Sequence, residues 1–416
     1  MYLWDVRSTV PYVLLAVCAG IVTGIALGTI SGLVPGIHAN TMAGILLAVQ
    51  GILAALFGVT GVAVSLFCAL VTHTFLDCVP STVLGVPDAD TALAVLPAHR
   101  LSMEGRAEEA IRLSALGSAL SVPLVLPVFA FFFLYLPSIQ PVLDWWIGII
   151  LLGVAGILVI HAESPGWSLV VFCASGLLGL FTFRYEYLAW HPFGSSSLLM
   201  PLLTGLFGIA VLAVSSHGVL PDQGRVAPSI GRGRLLRTIS IGTAAGALVG
   251  WMPGLSNATA NALLSPGMQD GESGKEFIVA TSAANTANAF LGLAALFALG
   301  RARNGVMAAL SEIDVPPLGM LLIAGAAAAL AAYLLTLWCA RGAQRFSGIP
   351  VRKVSAAVIL FVILLAGVTT GPFGLFILAC ATAIGFVPPL VNVRRTMCMG
   401  AIMLPLILSS LELVIY

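Results

Sequence analysis

Residues 24–41 read GIALGTISGLVPGIHANT, from Gly24-x-x-x-Gly28 through Gly32-Leu33-Val34-Pro35-Gly36-Ile37 to Asn40-Thr41. Up to Val34 this is a greasy helix with small residues at four-residue spacing, which places them on one face. At Pro35-Gly36 the helix has to stop, because proline lacks a backbone donor and glycine permits a sharp turn. Residues 242–259 repeat the pattern as GTAAGALVGWMPGLSNAT, with Gly242-x-x-x-Gly246, then Gly250-Trp251-Met252-Pro253-Gly254-Leu255 and Ala258-Thr259, in register and without a gap. The chain therefore has two related halves, each with an interrupted helix.

Composition sets the solvent. Of 416 residues, 18 are Lys or Arg and 17 are Asp or Glu; 59% are apolar, only 8% are charged, and the net charge is +1. Mean hydropathy is +1.07. A soluble domain carries roughly 25% charge to cover its surface. Such a chain is neither a soluble enzyme nor a nucleic-acid binder nor a disordered protein. Its apolar runs suit helices of about 20 residues crossing roughly 30 Å of hydrocarbon, whereas barrel strands alternate over about 10. The expected fold is all-α, a polytopic transmembrane helical bundle of about 10–12 crossings in the lipid bilayer of the cell membrane. Its halves carry Pro-Gly-broken, discontinuous or re-entrant helices.

Candidate spans fall near 10–30, 37–57, 61–84, 112–136, 142–161, 166–183, 197–217, 238–266, 277–299, 318–340, 354–371, 373–393 and 396–415, and the runs around 30–40, 80–98 and 250–266, broken by Pro and Gly, read as re-entrant or discontinuous helices. Residues 10–30 are longer than a signal core and lead into further membrane sequence, so they read as a retained helix. Residues 1–217 form the first half, 218–237 a basic cytoplasmic linker and 238–416 the second half. Basic residues cluster in short loops: Arg100, Arg106 and Arg112; Arg225, Arg232, Arg234 and Arg237; Arg341, Arg345, Arg352 and Lys353; Arg394 and Arg395. Such loops stay cytoplasmic. The seven cysteines lie mostly within apolar runs without a C-x-x-C pair and read as packing residues.

A half-helix that begins at depth presents free N–H groups and a positive dipole end that lipid cannot satisfy, which suits an anion such as a carboxylate. The candidate substrate-binding residues are Pro35, Gly36, His38, Asn40 and Thr41 after the first break, and Pro253, Gly254, Ser256, Asn257, Thr259 and Asn261 after the second. Asn285, Thr286 and Asn288 add an amide-bearing stretch to a later apolar helix, with Ser282 three residues earlier. These polar groups would equally serve interhelical hydrogen bonding. Asp77 is the carboxylate set within an apolar run, and His73 lies one turn before it. An intramembrane acid is costly unless paired, protonated or cation-bound, so this pair is the candidate for ion coupling. No protease, hydrolase or Walker motif occurs, and no metal-ligand spacing. No catalytic residue, cofactor or metal is expected, and solute movement has to draw on a gradient of H+ or Na+.

Glycine and proline placement also carries a family resemblance. The doubled Gly-x-x-Pro-Gly, the stretch Leu84-Gly85-Val86-Pro87-Asp88-Ala89-Asp90-Thr91-Ala92, and Glu104-Gly105-Arg106-Ala107 with Ala110 resemble the large membrane subunit of tripartite tricarboxylate transporters, the TctA family, most of all its shorter archaeal members. Where bacterial second halves tend to read Leu-Gly-Ile-Pro-Gly, this chain has Leu299-Gly300-Arg301-Ala302-Arg303. The resemblance implies a secondary active transporter, a permease for carboxylate-type organic anions, not an enzyme. It also implies a small membrane subunit and an extracytoplasmic solute-binding protein as partners; a homo-oligomer is compatible with it. Two rival readings are a carrier of polyprenyl phosphate or another anionic lipid, since a half-helix terminus grips phosphate as readily, and a non-transporting structural membrane component.

Overall fold

The computed structural model describes residues 5–34, 46, 50–85, 95–160, 162–190, 198–214, 221–251, 272–300, 302, 304–313, 315–346, 351–393 and 395–413. Among the described residues the structure is helical and contains no strand. In chain order the helices are α1 (Asp5–Leu33), α2 (Gln50–Leu76), α3 (Cys78–Leu84), α4 (Val95–Met103), α5 (Ala107–Ile160), α6 (Pro165–Arg184), α7 (Leu199–Leu203) and α8 (Ala210–Val214). They continue as α9 (Arg232–Trp251), α10 (Glu272–Leu299), α11 (Gly305–Ser311), α12 (Leu318–Gly342), α13 (Val351–Gly385), α14 (Val387–Leu390) and α15 (Gly400–Ser410). A π-helical turn, Thr204–Ile209, joins α7 to α8.

Among the described residues, 7 helical stretches are long and apolar enough to cross a bilayer, fewer than the expected crossings. Asp144–Ile160, Leu199–Ile209 and Met397–Ser410 are apolar but shorter. The expected spans near 112–136 and 142–161 are continuous in α5, a helix of 54 residues that contains Pro123, Pro127, Pro137 and Pro141. Its apolar stretches Ala107–Val142 and Asp144–Ile160 adjoin at Leu143. In α13 the break is local: Gly371 takes φ 69° immediately before Pro372. Trp190 packs on that glycine, where a Cβ would meet the indole at 2.7 Å.

The glycine ladders are explained by close packing. A Cβ on Gly24 would lie 2.5 Å from the Cβ of Cys68, one on Gly28 2.6 Å from that of Thr72, and one on Gly32 2.8 Å from that of Leu76. Both numbers climb together, so α1 and α2 run parallel. At the other end of the pair Gly61 meets Ala16, and Gly58 turns the chain of α2 with φ 76° and ψ 162°. In the second half, Gly242 abuts Ala283, Gly246 abuts Ala287 and Gly250 abuts Leu291, so α9 and α10 are parallel as well. The registers match residue for residue: the leucine opposite Gly32 is Leu76, and the leucine opposite Gly250 is Leu291. In lipid, contact of this kind supplies the packing attraction that hydrophobic burial supplies in water.

The core has two main parts. One gathers Phe67, Phe75, Phe290 and Leu321 from α2, α10 and α12. The other gathers Leu151, Leu206, Ile377 and Met403 from α5, the π turn, α13 and α15.

Candidate functional site

Pro80 has no N–H to return to the Leu76 carbonyl. Helix α2 accordingly ends at Leu76 and α3 begins at Cys78, with Asp77 at the joint. The Ser81 hydroxyl donates to the Asp77 carbonyl, and the Asp77 N–H donates to the His73 carbonyl at 3.0 Å. In α10 the position matching Asp77 in the leucine register is Gly292, and there the helix continues unbroken.

Helices α2 and α10 meet in a polar seam. Phe67 and Phe290 pack edge to face at 5.4 Å, the Thr74 and Thr286 hydroxyls are 3.0 Å apart, and Asn285 Nδ2 donates to Asp77 Oδ2 at 2.8 Å. Numbers rise along α2 as they fall along α10, so the two helices are antiparallel. All four polar side chains are buried. An amide donating to a buried carboxylate stabilises its charge; without such a partner that charge is costly in a dry interior.

His73 is buried too, and its Nδ1 lies 3.0 Å from Ser31 Oγ on α1. Ser282, Asn285 and Asn288 do not share one neighbour. Ser282 Oγ is 2.7 Å from Ser114 Oγ on α5, Asn285 reaches Asp77, and Asn288 Oδ1 sits beside Gly250 on α9. Three residues fall about 60° short of a full helical turn, so the three side chains fan out over three helices. Thr281, one turn before Asn285, is buried, and its hydroxyl has no hydrogen-bond partner among the described residues.

The other candidates, Pro35, Gly36, His38, Asn40, Thr41, Pro253, Gly254, Ser256, Asn257, Thr259 and Asn261, lie outside the described residues. So do Arg301 and Arg303. The described helices lead up to both breaks: α1 ends at Leu33, and α9 at Trp251, the matching residue. Trp251 is held from α5, where its Nε1 donates to Gln140 Oε1 at 2.6 Å and Gln140 Nε2 donates to Asp144 at 2.6 Å.

At the opposite end of α5 stands an ionic knot that sequence reading missed. The buried Glu109 carboxylate pairs with Arg106 at 2.5 Å and with Lys275 of α10 at 2.9 Å, and it accepts from the Ser229 hydroxyl at 3.1 Å. Gln223 accepts from the Ala107 N–H and donates to the Ser102 and Pro221 carbonyls. The segment from Pro221 to Ser229 is thus tied to α4, α5 and α10. Nearby, His99 of α4 places Nδ1 3.0 Å from the Thr82 carbonyl on α3. Burial pushes the His99 imidazolium below its ordinary range, and the Thr82 carbonyl offsets this in part.

Long apolar helices define a multi-pass membrane protein. The chain belongs to the tripartite tricarboxylate transporter TctA family, whose description matches residues 18–400. This makes it a component of the tricarboxylate transporter class and a multi-pass protein of the cell membrane. The family is a transport component, working in assemblies with a binding protein and a small membrane subunit. An uncharacterized protein of Methanocaldococcus jannaschii is 25% identical over 307 residues, covering 73% of this chain and 72% of that protein. No solved structure matches.

Proposed function

We propose that the chain is the permease of a secondary active transporter for carboxylate-type organic anions, coupled to a proton or sodium gradient through Asp77. The observation that carries this reading is the Asp77–Asn285 bond, a carboxylate held between two buried apolar helices of a transporter-family protein. Such an acid is kept at depth for ion movement, because a packed apolar residue would cost less there. His73, one turn away and tied to Ser31, tunes that site.

The two halves are read as inverted repeats. The support is geometric: both helix pairs are internally parallel and share one packing register, while α2 and α10 oppose each other. Two like pairs pointing in opposite directions are related by an axis lying in the membrane plane, the arrangement of many secondary transporters. The anion is assigned to the segments after Pro35-Gly36 and Pro253-Gly254, because α1 and α9 deliver them at matching ends. The end carrying Arg100, Arg106, Lys275 and Arg234 is assigned to the cytoplasm by its positive charge. A solute-binding protein and a small membrane subunit are assigned as partners by family membership alone.

The experiment is a thermal-unfolding screen of the purified chain against di- and tricarboxylates, with Asn257→Ala alongside. A carboxylate that stabilises the parent and stabilises Asn257→Ala less supports the reading. No stabilisation by any carboxylate contradicts it.

A further inference from the structure

We infer that Arg232, Leu236 and Arg237, at the start of α9, form a docking site for the headgroup and upper acyl chain of an anionic phospholipid. The chain before α9 sets these residues in place. Gln223 is buried; it accepts from the Ala107 N–H and donates to the Ser102 carbonyl, and the Gly224 N–H donates to the Gly105 carbonyl at 2.8 Å. Ser229 is fixed on Glu109 and Lys275. Three residues later α9 begins at Arg232. The arginines therefore stand on a held chain, and a ligand meets them without a large ordering cost.

The helix gives the direction. Gly242 and Gly246 pack on α10. Ser240 and Ala244, each two residues from a packed glycine and so about 200° around the helix, are exposed on the other side. Gly233, Leu236 and Arg237 continue that exposed stripe toward the helix start at spacings of three and four. From Ala244 to Arg237 the stripe turns from apolar to cationic within about 10 Å of rise. That is the profile of a helix leaving hydrocarbon for the headgroup layer.

Charge and apolar surface together select the ligand. Arg232 and Arg237 are exposed, and among the described residues neither has an ion-pair or hydrogen-bond partner. Arg234, which lies in sequence between them, has Glu276 at 3.9 Å. A guanidinium matches a phosphate through two parallel hydrogen bonds, and the positive end of the α9 dipole adds to the attraction. Leu236 is 61% exposed beside Arg237, an apolar surface that a free anion leaves in water and an acyl chain covers. A molecule with phosphate at one end and hydrocarbon at the other satisfies both. A zwitterionic headgroup brings a positive charge back to the arginines, so the lipid with a net negative headgroup is the one selected.

The test uses the purified full-length chain in mixed micelles. Dioleoylphosphatidylglycerol is the probe, dioleoylphosphatidylcholine at equal mole fraction the zwitterionic comparison, and inorganic phosphate the free anion. Thermal unfolding reports binding, and native mass spectrometry counts the lipid retained. Phosphatidylglycerol is expected to raise the midpoint saturably, and less so at high salt. Arg232→Gln combined with Arg237→Gln should weaken its apparent affinity by about tenfold or more, and Leu236→Ser should weaken it as well. Arg184→Gln, which alters an exposed arginine in the last turn of α6, should leave the response unchanged. All the altered side chains are exposed, so the variants are expected to fold, and their midpoints without lipid check that. Equal stabilisation by phosphatidylcholine, or a phosphatidylglycerol response and lipid count unchanged in the double variant, overturns the site. Stabilisation by inorganic phosphate equal to that by phosphatidylglycerol overturns the lipid as its ligand. No response to phosphatidylglycerol overturns the inference outright.

Discussion

Asn285 on α10 donates through Nδ2 to Oδ2 of Asp77, 2.8 Å away, at the joint between α2 and α3. The two residues come from different halves of the chain, and both are buried. A charge-assisted bond of this kind contributes about 1.5–3 kcal/mol when its surroundings are dry. Asn285→Leu and Asp77→Leu, each of which removes the bond, are therefore expected to be strongly coupled. In a double-mutant cycle on thermal unfolding in detergent, the pair should show an interaction of roughly 1–3 kcal/mol. Additive effects would mean that the bond does not hold the two helices together.

Glu109 is buried between Arg106 and Lys275 and joins α5 to α10 and the linker. Lys275→Met would leave that carboxylate with one ionic partner fewer and is expected to destabilise the protein by about 3 kcal/mol. Glu109→Gln with Lys275→Met should recover part of the loss, since no unmatched charge then remains. Unfolding midpoints of the two single variants and the double variant check this. A double variant less stable than either single one would contradict it.

His99 provides a signature in pH. Its folded pKa lies below the ordinary value of 6.5 because the ring is largely removed from water, with the Thr82 carbonyl opposing in part. Above pH 6.5 the ring is neutral in both states and its burial is free of charge cost. As pH falls through 6.5 the unfolded chain takes up the proton first, so stability falls until the lower folded pKa is passed. The parent is expected to lose stability on acidification through this window, and His99→Gln to lose less. Identical pH profiles for the two proteins would remove His99 from the account.

Much of this architecture was legible in the sequence, for simple reasons. Span length and hydropathy mark helices in lipid directly, and the glycines of Gly24-x-x-x-Gly28 and Gly242-x-x-x-Gly246 announced close helix contacts that the structure places on α2 and α10. Asp77 stood out because a lone acid in an apolar run is expensive. Its partner could not be read: Asn285 and Asp77 are far apart in the chain, and only the antiparallel crossing joins them. The fan of Ser282, Asn285 and Asn288 was hidden for a related reason, since a spacing of three residues looks like one face until three different helices surround it. Glu109 was passed over because acids near a basic loop usually face water, whereas here the linker residue Ser229 and Lys275 close over it. The continuity of α5 also escaped notice, because four internal prolines argue for breaks that its helical hydrogen bonding bridges.

The most direct test of the central claim is ion-driven carboxylate uptake by proteoliposomes carrying the parent or Asp77→Asn. Vesicles with an imposed proton or sodium gradient are assayed for accumulation, and vesicles preloaded with the same carboxylate are assayed for exchange. The account predicts that Asp77→Asn abolishes accumulation against a gradient while exchange continues. Accumulation in Asp77→Asn equal to that of the parent would contradict it.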